Sequence, residues 1–511
     1  MIVVGDKCKE AIQVALADQD MMAAIAVTRF GLGAKPGELA QARQDPQGFL
    51  KSQIRRSGAD QPPEPAAGVA QRMAEFRDYR RERREARVEK AADVKPAAAQ
   101  MDGANPAMAD AAPGKREAFD PVKQIGNVLR KDIAADFGAR AQLAATTDAA
   151  FRERWTLFWA NHFTVSAAKA ITGTVIGPFE EEAIRPHVFG RFDDLLGAAE
   201  THPAMLTYLD QIQSIGPDSQ AAQVMRNGGG RFGAARLQPA VQRTSGLNEN
   251  LAREIMELHT VGVNGGYTQA DVTEFARAMT GLSIGGQRDG VYGVAVFREA
   301  AHEPGERTVM GVRYDERGKQ QVNAILSDLA AKPQTARFIC GKIARHFVAD
   351  DPPPALVARL EAAWTASQGD LSTVAAALIA APEAWDPRPA KFKTPYEFII
   401  SSYRAAGTEP AGFQQLGPIL TSLGQKPFSP ASPKGWPEDA QSWAAPDAIV
   451  KRMQFAQNFS SQAVDGRDPS ALALAALGER LRPETATAIA RAESRPEGFA
   501  LLLMSPEFQR R

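Results

Sequence analysis

The chain has 511 residues, and its 60 Lys and Arg are matched by 60 Asp and Glu, so it is long enough to bury a sizeable core and carries no net charge. That balance removes the electrostatic argument for nucleic acid or for an acidic membrane surface. The two cysteines, Cys8 and Cys340, are too few and too far apart for a disulfide scaffold or a cysteine-based metal site, and no stretch reaches the roughly 20 apolar residues that span a bilayer.

Residues 1–56 read as an N-terminal helical segment packing on the core, with short helices broken at Gly31-Leu32-Gly33 and Asp45-Pro46. Asp6, Lys7, Lys9 and Glu10 interrupt what would be the apolar core of a signal peptide. Read from Met1, the chain is expected in the cytoplasm; a different start, with Met21 and Met22 close by, would make it exported or periplasmic. Residues 57–119 read as a charged helix at 69–90, its signs alternating as in Arg80-Arg81-Glu82, then a flexible Ala/Pro-rich linker.

Residues 120–511 read as the main helical domain, interrupted by a mobile glycine-rich loop at 226–246. Phe151, Trp155, Phe158, Trp159 and His162 recur at helical spacing and predict one broad buried face. Thr268 with Asp271 predicts a capped helix start. Strand signal is scarce: 291–298 and 308–314 alternate, joined through His302-Glu303-Pro304-Gly305. Helices follow at 320–331, 334–349, 354–367, 371–380, 394–406 and from 446 onward, with an irregular proline-rich wrap at 427–446. Cys340, in the apolar run Phe338-Ile339-Cys340, is expected to be a buried, inert thiol. The predicted fold is mainly α, a multi-helical globular body with one small β-hairpin.

Polar residues concentrate on the segment 247–259. On a helical wheel Leu247, Leu251, Ile255 and Leu258 fall within about 80° of one another, and Glu249, Asn250, Arg253, Glu254 and Glu257 occupy the rest. Glu254 and Glu257 stand three apart, with Cβ atoms roughly 5–6 Å from each other, close enough to share a proton, bind a divalent cation or act as acid and base. The bland alternative is a solvated face in which Arg253 pairs with Glu249 and Glu257. Among the six histidines, His162 on the tryptophan-rich helix is by default a satisfied core residue, with ligand or proton-transfer duty as the alternative. His202 is placed to cap a helix or to point into a cleft, and His302 to reach a ligand or to bond within its turn. His259 ends its helix, where an imidazolium interacts favourably with the dipole, and His346 between Arg345 and Phe347 reads as structural. There is no His-Glu-x-x-His, Gly-x-Ser-x-Gly, phosphate-binding or dinucleotide fingerprint, so no cofactor is assigned.

Several ordered segments carry a family resemblance: Arg154-Trp155 through Trp159-Ala160-Asn161-His162-Phe163-Thr164-Val165-Ser166, His202-Pro203-Ala204-Met205-Leu206 with Tyr208-Leu209-Asp210, and Gly216-Pro217-Asp218-Ser219. Others are 248–262 followed by Gly265-Gly266-Tyr267-Thr268-Gln269-Ala270-Asp271-Val272, then Ala301-His302-Glu303-Pro304-Gly305, Ala344-Arg345-His346-Phe347-Val348-Ala349-Asp350-Asp351, residues 391–395, Gly435-Trp436-Pro437 and the closing 505–511. Together they resemble the bacterial domain of unknown function 1800 family from about Ala24 onward. The resemblance implies a largely helical fold and brings no established activity. Family members often bear export signals and are often encoded beside sulfatase-like proteins, which favours a glycan or envelope context.

Two functional expectations follow. One is a hydrolase or lyase acting on a polar substrate, saccharides included, through a carboxylate/histidine site, with metal assistance an open option. Glu254, Glu257, His162 and His302 would do the chemistry, and Asn161, His202, Asp210, Asn248, Asn250, Arg253 and His259 would bind substrate. The other is a non-catalytic binding or assembly partner of an envelope or exported enzyme, with the polar helix an internal salt-bridge network. The ligand would then be a protein rather than a polar small molecule or glycan.

Overall fold

The computed structural model describes residues 18–93, 121–226, 246–286, 289–410, 412–464 and 466–511. Nearly all of the predicted linker and of the glycine-rich loop lies outside those residues. Helix makes up 64% of the structure, and the strands form two small antiparallel pairs, so the fold is mainly α.

The helix Ala150–His162 runs through the middle of the core. Its aromatic residues are buried as the periodicity predicts, and Arg152, Glu153, Arg154 and Thr156 on the opposite side are buried as well. A helix covered on every side has to satisfy its polar groups internally. Arg152 bonds Gln53 O at 2.7 Å and Asp60 at 2.7 Å, Arg185 forks onto Glu153 with two 2.8 Å bonds, and Arg154 reaches Glu397 at 2.8 Å. Around this helix Phe30, Phe151, Trp155, Phe347 and Trp385 form a continuous aromatic cluster, with Phe30 and Trp385 centroids 4.9 Å apart. Phe30 comes from the N-terminal segment. That segment is tied down by Arg29, which donates to Ala384 O and Arg388 O, and by Arg404, which donates to Gly33 O and forks onto Glu38.

The charged helix extends over Val69–Asp93. One face of its first half is covered: Met73 and Phe76 are buried, and Arg72 pairs with Asp136 at 2.9 Å and with Asp132 at 2.5 Å, while Gln71, Arg77 and Arg80 are exposed. Helix Ala170–Phe179 contains Pro178, which supplies no N–H, and it opens into the wide turn Glu180–Ile184. Through that turn Glu180 reaches Arg140 at 2.6 Å, Glu181 accepts from Ala66 N at 2.9 Å and Glu182 accepts from Val69 N at 2.8 Å.

The strands differ from the sequence reading. Instead of one hairpin joined through His302–Gly305 there are two: β1 (Leu282–Ile284) pairs with β2 (Ala295–Phe297), and β3 (Arg307–Val309) with β4 (Val312–Tyr314). The segment at 308–314 folds back on itself because Met310 and Gly311 both take positive φ, 47° and 80°, the backbone of a two-residue hairpin turn. Among the described residues, no helix is long and apolar enough to cross a membrane.

Candidate functional site

The polar segment forms a short helix, Asn250–Glu254, that widens into a π-turn, Ile255–His259. Leu251, Ala252, Ile255 and Met256 are buried, as the wheel requires. The polar side is fastened to the neighbouring helix, Gln269–Met279. Arg253 bonds Glu249 at 3.1 Å and Gln269 at 2.8 Å, while Glu249 also accepts from Gln269 at 2.8 Å and Thr273 at 2.7 Å. Glu257 does not pair with Arg253; it accepts from the Tyr267 hydroxyl at 3.5 Å. Asn248 donates to Leu209 O at 3.0 Å and accepts from Asn250 N at 3.0 Å, and the Asn250 side chain is exposed. Burial, with Glu257 and Glu200 nearby, pushes the half-buried Glu254 carboxyl above its ordinary range.

His259 is fully buried, with Nδ1 2.7 Å from Oε1 of the equally buried Glu200, a contact of short distance without hydrogen-bond alignment. His162 packs against it, ring centroids 5.7 Å apart. Nε2 of His162 lies 3.2 Å from His259 O, which only a ring N–H can satisfy, so Nδ1 is left to accept from Lys342 Nζ at 2.9 Å. Burial and Lys342 push His162 well below the usual imidazole range, and burial pushes Lys342 down to about 8. His162, His259 and Glu254 therefore form one neighbourhood.

The remaining predicted residues are held elsewhere by their own partners. His202 caps helix Pro203–Tyr208, accepting from Ala204 N at 3.2 Å, and its Nε2 lies 3.2 Å from Glu182. His302 Nδ1 bonds Thr280 O at 3.0 Å, and the adjoining Glu303 accepts from Asp218 N at 2.7 Å, so this corner is a backbone knot. Asp210 pairs with Lys169 at 2.7 Å. Among the described residues no group of three or more His, Cys, Asp or Glu is placed to hold a metal ion, so the cation role considered for this region has no ligand set there. Cys340 is buried, and burial raises its thiol far above the ordinary value.

Asn161 leads to a different place. Its amide donates to Trp436 O at 3.0 Å and accepts from Trp436 N at 2.8 Å, clamping the proline-rich wrap to the central helix. The wrap comes this close only because residue 435 is glycine: φ is +82°, and a Cβ there would sit 2.4 Å from Asn161 O. Beneath the clamp lies a cavity of about 110 Å³, lined by Arg140, Arg154, His346, Tyr396, Glu397 and Glu438 among others. Segments distant in sequence meet here, and several of them carry the resemblance: the tryptophan helix, the His346 stretch, Gly435-Trp436-Pro437 and Arg511. Neither Glu254 nor Glu257 lines it.

His346 Nδ1 lies 2.6 Å from Glu438, and Nε2 has no hydrogen-bond partner. Burial pushes the imidazole down to about 4, so at neutral pH it is uncharged, with Nδ1–H on the carboxylate and a lone pair on Nε2. Burial would raise Glu438, but His346, Lys391 and Lys342 outweigh it and hold the carboxyl well below its usual range. Glu397 is fixed ionised by Arg511 and Arg154 despite burial, and it also caps Thr394 N at 2.9 Å. The Tyr396 hydroxyl is buried beside the Arg140 guanidinium without an aligned hydrogen bond, and burial pushes its phenol up to about 12. A neutral imidazole oriented by a carboxylate and a protonated phenol are the two groups that proton transfer requires.

Sequence reasoning missed His346 as a site residue and did not single out Glu438 or Tyr396. His346 sits in an amphipathic helix, Pro333–Phe347, whose pattern is explained by packing. Glu438 comes from irregular chain 92 positions away, where no periodicity exists to read. The available signal was that both adjoin resemblance segments.

A family model described as Protein of unknown function (DUF1800) matches residues 25–510. No curated protein and no solved structure matches the chain.

Proposed function

The chain belongs to the DUF1800 family, whose description assigns no activity, and from the cavity we propose that it is a hydrolase or lyase acting on a polar substrate, a saccharide included. His346 Nε2 is the general base, Glu438 holds its tautomer, and the Tyr396 hydroxyl is the proton donor. The single observation that carries this reading is that two buried polar groups without an aligned hydrogen bond, His346 Nε2 and Tyr396 Oη, belong to residues lining one cavity. Buried polar atoms without partners are uncommon, and a ligand is a standard reason for them. Orphaned arginine Nε atoms recur elsewhere, at Arg29, Arg72, Arg185 and Arg452, and add nothing to this argument.

The network joining Glu249, Arg253, Gln269 and Thr273 favours a structural role for the polar face of 247–259. That helix supports the site through His259 and His162, which hold Lys342 in place one turn before His346.

The test is a turnover screen of purified protein against chromogenic esters, glycosides and oligosaccharides, repeated with His346→Gln and Tyr396→Phe. Losing an acid or base should lower the rate by about 10²- to 10⁴-fold while the thermal melt stays cooperative. Wild-type turnover in both variants would move the chemistry out of this cavity.

A further inference from the structure

We propose that Lys342 is a nucleophilic amine, oriented by His162, that forms an imine with a small aldehyde or ketone. The inference goes beyond the cavity chemistry, since it concerns the nitrogen one helical turn before His346.

Most covered lysines of this fold are tied to carboxylates: Lys35 to Asp148, Lys332 to Asp328 and Lys391 to Asp350. Lys342 is held differently. Its nitrogen donates to His162 Nδ1 at 2.9 Å, and among the described residues it forms no ion pair. The carboxylate that faces it, Glu438, is bonded to His346 Nδ1 at 2.6 Å instead. Lys434 from the wrap and Arg345 from its own helix add positive charge, and the Phe338 ring centroid lies 5.7 Å from the nitrogen. Desolvation and like charges both disfavour an ammonium, and they are the two devices that make a lysine nucleophilic.

His162 supplies the orientation. Its Nε2–H is spent on His259 O at 3.2 Å, so Nδ1 presents a fixed lone pair to the amine. The ring is 2% exposed and wedged between Phe163, Trp159 and His259, with centroids 4.6, 5.5 and 5.7 Å away. One amine N–H is directed at that lone pair, which turns the amine's own lone pair away from His162 and leaves it free to attack. The nitrogen adds to the carbonyl carbon and one of its protons passes to the carbonyl oxygen. The resulting hydroxyl then leaves as water with the second proton, and a C=N bond remains. No oxidant, reductant or activated leaving group is needed.

Lys393 shows the contrasting case. Burial and Arg480 push its ammonium far below the ordinary value, yet the residue is 3% exposed, donates to Ser401 and sits 3.9 Å from the Phe508 ring centroid. It is sealed, whereas Lys342 is partly exposed and open to a small reagent.

The experiment treats the full chain with glyceraldehyde and sodium cyanoborohydride, which reduces an imine to a stable secondary amine. Peptide mass spectrometry then locates the adducts and separates them from labelling of the α-amino group. With its value down at about 8, Lys342 holds on the order of 100-fold more neutral amine at about pH 7.5 than an ordinary lysine. It should be labelled at least about 10-fold faster than the exposed Lys51 and Lys426, with a midpoint near pH 8. Labelling should also saturate with aldehyde concentration, as binding beside the amine requires. Lys342→Arg keeps the charge beside Glu438 and should remove the fast adduct alone, and His162→Gln should slow labelling at saturation. If the His162 variant fails to fold, the pH and concentration curves of the unaltered chain decide by themselves. A Lys342 rate no higher than that of the exposed lysines, or one that rises linearly with aldehyde, overturns the inference. Trapping reads the amine without turnover, so its failure and the failure of the His346 chemistry are separate results.

Discussion

At the scale of single residues, burial sets the chemistry of this protein more than sequence neighbours do. Lys342 and His346 stand one helical turn apart, and burial pushes both downward, to about 8 and about 4. His346 is therefore a base throughout the neutral range, and activity should rise as pH increases through about 4 and then level off. A pH–rate profile, with the imidazole followed by NMR, checks this; a limb near the ordinary histidine value would mean that the ring is solvated. Replacing Glu438 with Gln keeps the shape and removes the charge that fixes the tautomer, so turnover should fall while the melt changes little. Lys342→Met should lower the affinity of Glu438 for its charge and raise its carboxyl, visible as a shift in the coupled His346 titration.

At the scale of elements, two positions separate stability from site geometry. Thr268 and Asp271 form a reciprocal capping box on helix Gln269–Met279, as their spacing predicts. Thr268→Ala should cost about 1 kcal/mol in chemical denaturation and leave ligand binding unchanged. Gly435→Ala acts otherwise, because its Cβ would strike Asn161 O and the backbone would be left at positive φ. A loss of about 1–3 kcal/mol is expected, together with weakened binding, since the wrap that delivers Glu438 can no longer close on the central helix. Unchanged binding in Gly435→Ala would mean that the wrap does not shape the cavity. The capping box was readable because it is local chemistry over four residues. The glycine was visible as part of a resemblance segment, but the reason for it lies in a contact with residue 161.

At the scale of the whole molecule, stability depends on charges buried far from their sequence neighbours. Glu397 neutralises Arg154 and Arg511 together, so Glu397→Gln should cost about 3–5 kcal/mol by leaving buried guanidinium uncompensated. Acid should unfold the chain in two ways. The His346 value is near 4 folded and near 6.5 unfolded, so between these the unfolded chain binds more protons and stability falls as pH drops. The depressed Glu397 carboxyl contributes stability above its unfolded value near 4.5 and loses it as pH falls toward the lower folded value. Melting temperature should therefore decline from about pH 6.5 downward, and His346→Gln should flatten the first part of that decline. A melt independent of pH between 6.5 and 4 would contradict the burial of His346.

What the sequence alone determined was whatever a few consecutive turns of chain can encode. The helical class, the buried face of Ala150–His162, the caps and the apolar arc of the polar helix follow from periodicity, and periodicity is a local property. The strand pairing was misread because alternation marks a strand without naming its partner, and the positive φ of Met310 and Gly311 sent 308–314 back on itself. Only the tertiary structure assembled the cavity from which the proposed site is drawn. It withdrew His202, His302 and Asp210 into caps, turns and an ion pair, and it brought Arg140, His346, Tyr396 and Glu438 to one cavity. The physical reason is that partnership and burial belong to the packed chain: an imidazole flanked by Arg345 and Phe347 reads as structural until Glu438, distant in sequence, is folded against it.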